Sequence, residues 1–394
     1  MPLAAALQLL LAAPAGAAPA DTWNLLSTAP AGSGADGLFA LTVDPNNASN
    51  VLYATPSGQI YRSLDTGANW KKVAQGLGQG VLVLAFDPIE PTHVLVGTRG
   101  GGIWRSDDSG GSWRSLDHGT ETVRAFAFSV GLSAAATDGG VLITHDGDTW
   151  QPAALQHANV AAVAVAGGKI FAGADLDRSV QGLPLFMSSD SGVTWTKLAG
   201  PASGGAIVSS LAVQGGKLLV GTNAGLFASP DGGTSWSGLA NGALPQTDYT
   251  ALRTTDSKLF VASDGGAATT GGLWESSDGG QSFRSLDSPV PSVTALAVSG
   301  STVFAATFRS ADHAVFIWSY VDQGGAPQQP AAGVVPAPNA AAAAPVAPSS
   351  KPLTSEWLQA LVHGPELPFL ALGVAAVLVL FLALVAYARK GRVS

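Results

Sequence analysis

The chain has 394 residues, 12% charged and 46% hydrophobic, a balance that excludes a disordered or highly solvated chain. Its net charge of −8, with no Lys- or Arg-rich run in the first 350 residues, argues against nucleic acid as a partner, because phosphate binding needs a basic stripe. Cysteine is absent, which excludes disulfides, thiolate catalysis and Cys-ligated zinc. At the start of the chain, residues 3–13 (LAAALQLLLAA) form an apolar run too short to span a bilayer. Ala18-Pro19-Ala20 ahead of Asp21 fits the small-x-small cleavage rule, so residues 1–20 are predicted to be a secretory signal peptide. No Lys or Arg precedes the run, which leaves its positive charge to the terminal amine.

From Asp21 onward one short pattern recurs: SLDTGANW at 63, SDDSGGSW at 106, THDGDTW at 144, SSDSGVTW at 188, SPDGGTSW at 229 and SSDGGQSF at 276. Its aspartates, Asp65, Asp108, Asp146, Asp190, Asp231 and Asp278, are spaced by 43, 38, 44, 41 and 47 residues. Short alternating apolar runs on a period of roughly 40 to 50 residues point to propeller blades, each a four-stranded antiparallel sheet. In the second unit VLVLAFDP, HVLVGT, GIWRS and SWRSL read as the four strands in order. After the last box VTALAVS, TVFAAT and VFIWSY supply three strands and no fourth. The segment TWNLLS at the start of the region matches the fourth-strand pattern, with Trp23 at the box Trp position. The prediction is an all-β, seven-bladed propeller over residues 21–321, its last blade closed by the N-terminal strand so that no sheet edge stays open.

Residues 322–353 read as an extended stalk, whose Pro- and Ala-rich part, 322–350, reaches at most roughly 80 to 90 Å at ~3 Å per residue. Residues 354–368 form a juxtamembrane segment in which TSEWLQALV reads as a short capped helix with Trp357 near the interface. Phe369 to Ala388 is a run of 20 residues without a charge, long enough at ~1.5 Å per residue to span a bilayer. Arg389, Lys390 and Arg392 follow at once, which predicts a cytoplasmic tail over 389–394 and an extracytoplasmic N-terminal domain. The expected location is a cell membrane, by a single pass.

The repeated stretch resembles the Asp-box of BNR-repeat propellers, Ser-x-Asp-x-Gly-x-Thr-Trp, over the whole of the predicted globular region. The unit DP…VLVGT…GIWRSDDSGGSW looks most like sortilin-type propellers and the propeller of photosystem II assembly factors; bacterial sialidases and xyloglucanases share the box. In those families the box lies away from the ligand site. Turn chemistry gives the box the same structural reading, since its Asp can accept backbone N–H groups and its Gly allows a positive φ. Calcium loops would want several carboxylates per loop, and most boxes have one. Neither a metal nor a cofactor is expected.

Antiparallel hairpins alternate ends, so the boxes share one face and the loops between second and third strands share the other. The binding candidates on that second face are Arg99, Asp138, Asp177, Arg178, Asn223, Asp264, Arg309 and His313, with Asp175 and Asp312 beside them. His118, Glu121, His157 and Asp248 fall in loops from one blade to the next. The expected ligand is a protein or a carbohydrate, bound without catalysis. The alternative is a glycoside hydrolase of sialidase type, for which the resemblance implies a Tyr nucleophile activated by Glu and three arginines on a carboxylate. Tyr249 and Glu121 would have to form that pair, and Arg99, Arg124, Arg253 and Arg309 would have to cluster. The family's Arg-Ile-Pro signature is missing.

Overall fold

The structure, a computed structural model, describes residues 21–29 and 40–323, except 56, 79, 117–120, 157–158, 175–184, 201–206, 240–243, 246–248, 264–270, 289–291 and 310–313. The predicted signal peptide, all but the first two residues of the stalk, and the predicted transmembrane helix at 369–388 lie outside the described residues. Among the described residues no helix is long and apolar enough to cross a membrane.

The described residues form 28 strands in seven four-stranded antiparallel sheets. Six sheets use four strands consecutive in sequence, as in Val81–Phe86, Val94–Thr98, Ile103–Ser106 and Arg114–Ser115 of the second blade. The outermost strand is often only two residues long, less than the sequence pattern suggested. First strands of successive blades adjoin in turn, and Val293–Ser299 of the last blade meets Ala40–Asp44 of the first, closing a ring. The all-β seven-bladed propeller expected from the repeat is what the chain forms.

The middles of the second strands are apolar because both of their faces are buried between blades. Successive side chains on a strand point to opposite sides. In Asn47–Ala54, Leu52 and Ala54 pack toward the second blade, whereas Val51 and Tyr53 pack toward the seventh. The described core accordingly divides into seven clusters, one at each seam between neighbouring blades.

The ring is fastened as predicted. The N-terminal strand Trp23–Ala29 pairs with Ala314–Val321 in the last blade, with Trp23 opposite Tyr320 and Leu25 opposite Trp318. The Trp23 indole donates to the Leu286 carbonyl at 2.6 Å, and its ring lies 5.1 Å from that of Tyr320.

The six repeated stretches fold into the same turn between third and fourth strands. In the first, Ser63 Oγ donates to Asp65 Oδ1 at 2.7 Å and accepts the Gly67 N–H at 2.8 Å. Asp65 accepts the Asn69 N–H at 2.8 Å and the Asn69 side-chain amide at 2.7 Å. Asp108, Asp146, Asp190, Asp231 and Asp278 repeat the pattern, each bonded to the hydroxyl two residues before it and to N–H groups three or four residues ahead. The residue after the aspartate takes a left-handed backbone even where it is Thr66, Ser109 or Ser191. The next glycine also has a reason beyond its backbone: a Cβ on Gly233 would lie 2.4 Å from Leu198 Cδ1 of the preceding blade. The turn therefore also sets how closely neighbouring blades approach. Of the box aromatics, Trp150 and Phe283 are buried, while Trp70, Trp113, Trp195 and Trp236 are half-buried against the blade edges.

Candidate functional site: the loop face and the channel

Turn chemistry organises the loop face as it does the box face. After the second strand of three blades a Thr hydroxyl donates to a glycine carbonyl: Thr98 to Gly102, Thr137 to Gly140 and Thr222 to Gly225, at 2.8 to 3.0 Å. The residue after that Thr is a binding candidate in each case. Asp138 accepts the Thr122 N–H at 3.0 Å and donates its own N–H to the Thr122 carbonyl. Asn223 does the same with Ile207, its Oδ1 accepting at 2.9 Å. Both side chains thus pin the start of their own blade's first strand to the hairpin. Arg99 makes the corresponding backbone bond, N–H to the Gly80 carbonyl at 2.8 Å, and its side chain is exposed.

Asp177, Arg178, Asp264 and His313 lie outside the described residues, as do Asp175, Asp312, His118, His157 and Asp248. Arg309 ends the strand Thr302–Arg309.

Inside the ring, the innermost strands enclose a channel with a cavity of about 470 Å³. Its described lining is apolar apart from a few hydroxyl groups and two arginines, Arg124 and Arg253. Arg124 reaches Asn159 Oδ1 at 3.2 Å through Nε. Arg253 donates from Nη1 to the Leu252 carbonyl at 2.8 Å, and its side chain is exposed where it lines the cavity. Neither residue was among the binding candidates from sequence. The available signal was a lone Arg in an inner strand whose counterparts are small and apolar.

A second cavity of about 380 Å³ lies beside the first box, lined by Arg62, Leu64, Asp65 and Trp70 among others. Asp65 has both carboxylate oxygens committed to its turn, so this hollow offers mainly packing surface.

The residues that sialidase chemistry requires are not brought together. Tyr249 is 1% exposed, packs edge-on against Trp274 and donates its hydroxyl to the Pro245 carbonyl. Burial pushes its pKa up to about 12, the wrong direction for a nucleophile. Glu121 stands at the start of the third blade, whereas Tyr249 stands at the start of the sixth. The arginines divide likewise, Arg124 and Arg253 in the channel and Arg99 on the loop face.

No protein-family profile matches the chain, and neither does any curated protein sequence. Solved structures do. YCF48 bound to D1 peptide is 15% identical with a TM-score of 0.56, over 78% of this chain and 97% of that one. YCF48 from Cyanidioschyzon merolae is 14% identical with a TM-score of 0.52, over 76% and 98%. The GH74 xyloglucanase from Xanthomonas campestris is 18% identical with a TM-score of 0.50, over 68% of this chain and 50% of that one. The chain therefore spans about half the length of that xyloglucanase. At these identities the likeness shows the fold.

Proposed function

We propose that the chain is a non-catalytic binding or assembly propeller of the Asp-box type, presented outside a cell membrane. In this reading residues 1–20 direct export, residues 322–353 act as a stalk and residues 369–388 anchor the chain. The carrying observation is the pinning of the loop-face hairpins by Asp138 and Asn223. Such bonds hold loops in one shape before a partner arrives, which reduces the ordering cost of binding. The burial of the Tyr249 hydroxyl favours binding over sialidase chemistry.

Protein is the favoured partner class. A propeller of similar fold, YCF48, is bound to D1 peptide in its own structure, which supports a peptide-binding use of this architecture. Peptide and glycan arrays probed with the purified full chain test the proposal. The expected result is retention of peptides that falls with Arg99→Ala and persists in Asp231→Asn. Binding that survives every loop-face change and disappears with Asp231→Asn would place the function on the box face and sink the reading.

A further inference from the structure

We infer that the central channel is a binding site for a small organic monoanion with an apolar body, its charged group held by Arg253. This site is separate from the loop-face hairpins and goes beyond the function proposed above.

The inference starts from register. Counting three residues back from the aligned positions Thr55, Thr98, Thr137, Ala174, Thr222, Ser263 and Thr307, the paired inner-strand residues lie at one level of the ring. They are five alanines (Ala85, Ala127, Ala164, Ala212 and Ala297), Thr42 and Arg253. All seven line the channel. At six of the seven positions the fold needs only a small side chain near the axis. At the seventh it carries the largest cationic one, with the space around it left open by its small neighbours.

Charge gives the second argument. The whole chain has a net charge of −8, yet the described lining of the channel holds two arginines and no carboxylate. A guanidinium has five N–H donors and stays charged in a protein. Among the described residues Arg253 uses one donor, on the Leu252 carbonyl. The Arg253 side chain is exposed and lines the cavity, so its other donors are open to an incoming anion. Arg124 lies at the second residue of its strand, three residues before Ala127 at the level of Arg253, so the positive charge continues along the channel.

The remaining wall sets the ligand's other end. Phe126, Phe128 and Leu211 line the cavity half-buried, whereas Leu84, Phe86 and Leu252 behind them are buried in the seams between blades. The cavity thus joins apolar patches to polar surface, which suits a ligand with an apolar body and one charged end. A carboxylate matches the planar fork of an arginine in two parallel hydrogen bonds. An inorganic anion would satisfy Arg253 and leave the apolar wall unused; a neutral alcohol would do the reverse.

Calorimetric titration of the purified full chain with sodium hexanoate, hexanol and sodium phosphate separates these contributions. The expected order is hexanoate tightest, with hexanol and phosphate each at least tenfold weaker. Arg253→Met should weaken hexanoate at least tenfold, and Arg253→Lys, which keeps the charge and loses the planar fork, should fall between the parent and the Met variant. Equal affinities for hexanoate and hexanol, equal affinities for hexanoate and phosphate, or no hexanoate binding at millimolar concentration would overturn the inference. These comparisons are made on the unaltered chain, so they stand even if the Met variant fails to fold. Hexanoate affinity unchanged in a folded Arg253→Met variant would overturn it as well.

Discussion

Arg284 of the sixth blade and Asp322 of the seventh are joined at 2.7 Å across the seam between the two blades. The same Arg284 nitrogen contacts Glu275 Oε2 at 2.8 Å, and Lys258 contacts Glu275 Oε1 at 2.9 Å and also pairs with Asp322. Glu275 is 4% exposed and the Asp322 side chain is fully buried. Register gives this cluster a meaning. Tyr320 pairs with Val303 as Ser106 pairs with Val94, so Asp322, two residues on, occupies the position of a box aspartate. In the seventh blade the fourth strand is the N-terminal Trp23–Ala29, and the Asp322 carboxylate takes Lys258 and Arg284 as partners.

Asp322→Asn should therefore destabilise the chain by about 1.5 to 3 kcal/mol, because the half-buried Lys258 and Arg284 lose a charged acceptor and keep Glu275. Urea unfolding at neutral pH measures this. Burial pushes the Lys258 pKa down, but the hydrogen bonds it donates to Asp322 and Glu275 prevail and raise it. Its contribution is then intact below the unfolded value of about 10.4 and declines as pH rises through the folded one. A midpoint unchanged in Asp322→Asn would show that the cluster does not hold the seam.

Acid should loosen all six repeated turns together. Asp190 is lowered to about 2, first by the Thr194 hydroxyl and then by the Thr194 N–H. For Asp108, burial is the largest influence and pushes upward, yet the bonds from Ser112 and Ser106 outweigh it and bring it to about 2. Asp65, Asp146, Asp231 and Asp278 are lowered too. A carboxylate with a depressed folded pKa stabilises above its unfolded value, about 3.9, and loses that contribution as pH falls toward the folded one. The melting temperature should hold between pH 5 and 7 and fall steeply between about pH 4 and 2. A flat profile down to pH 2 would contradict the bonding pattern described for these turns.

Gly233→Ala and Gly216→Ala separate blade spacing from backbone preference. Gly233 has φ +103° and a Cβ there would strike Leu198, whereas Gly216 has φ +79° with nothing within 4 Å. The first change should cost about 2 to 4 kcal/mol and the second about 1 to 2. Equal denaturation midpoints for the two variants would remove the role of the box glycine in setting blade separation.

A chain shortened to begin at residue 30 lacks the strand that covers Ala314–Val321. It should lose more than the roughly 3 kcal/mol expected from truncating Trp23 alone. Hydrogen exchange should quicken first in the last blade. Unfolding that matches the parent chain would mean that the fastening strand carries little of the stability.

Tyr249→Phe should cost about 1 to 2 kcal/mol, because the Pro245 carbonyl loses its donor. A fluorogenic sialoside should not be turned over by either form. Turnover by the parent chain that Tyr249→Phe abolishes would replace the binding reading with hydrolysis.

The repeated turn was legible in the sequence because its chemistry is local. Ser63, Asp65, Gly67 and Asn69 find one another within seven residues, so the spelling SLDTGANW already contains the bonds. Closure was legible as well, since TWNLLS carries the outer-strand pattern at the start of a region whose last unit lacks that strand. The roles of isolated polar residues were decided by tertiary structure. Asp138 and Asn223 look like free loop groups until the hairpin meets the strand start 16 residues away. Tyr249 looks like a loop hydroxyl until the seam between the fifth and sixth blades closes over it. Asp322, expected to begin the stalk, becomes a buried ion only because Lys258 and Arg284 reach it from the next blade. The same holds for Arg253, whose solitude is a property of seven strands arranged around one axis. Local hydrogen bonds can be read from spacing. The partner of a charge across a seam depends on which blades the ring makes neighbours.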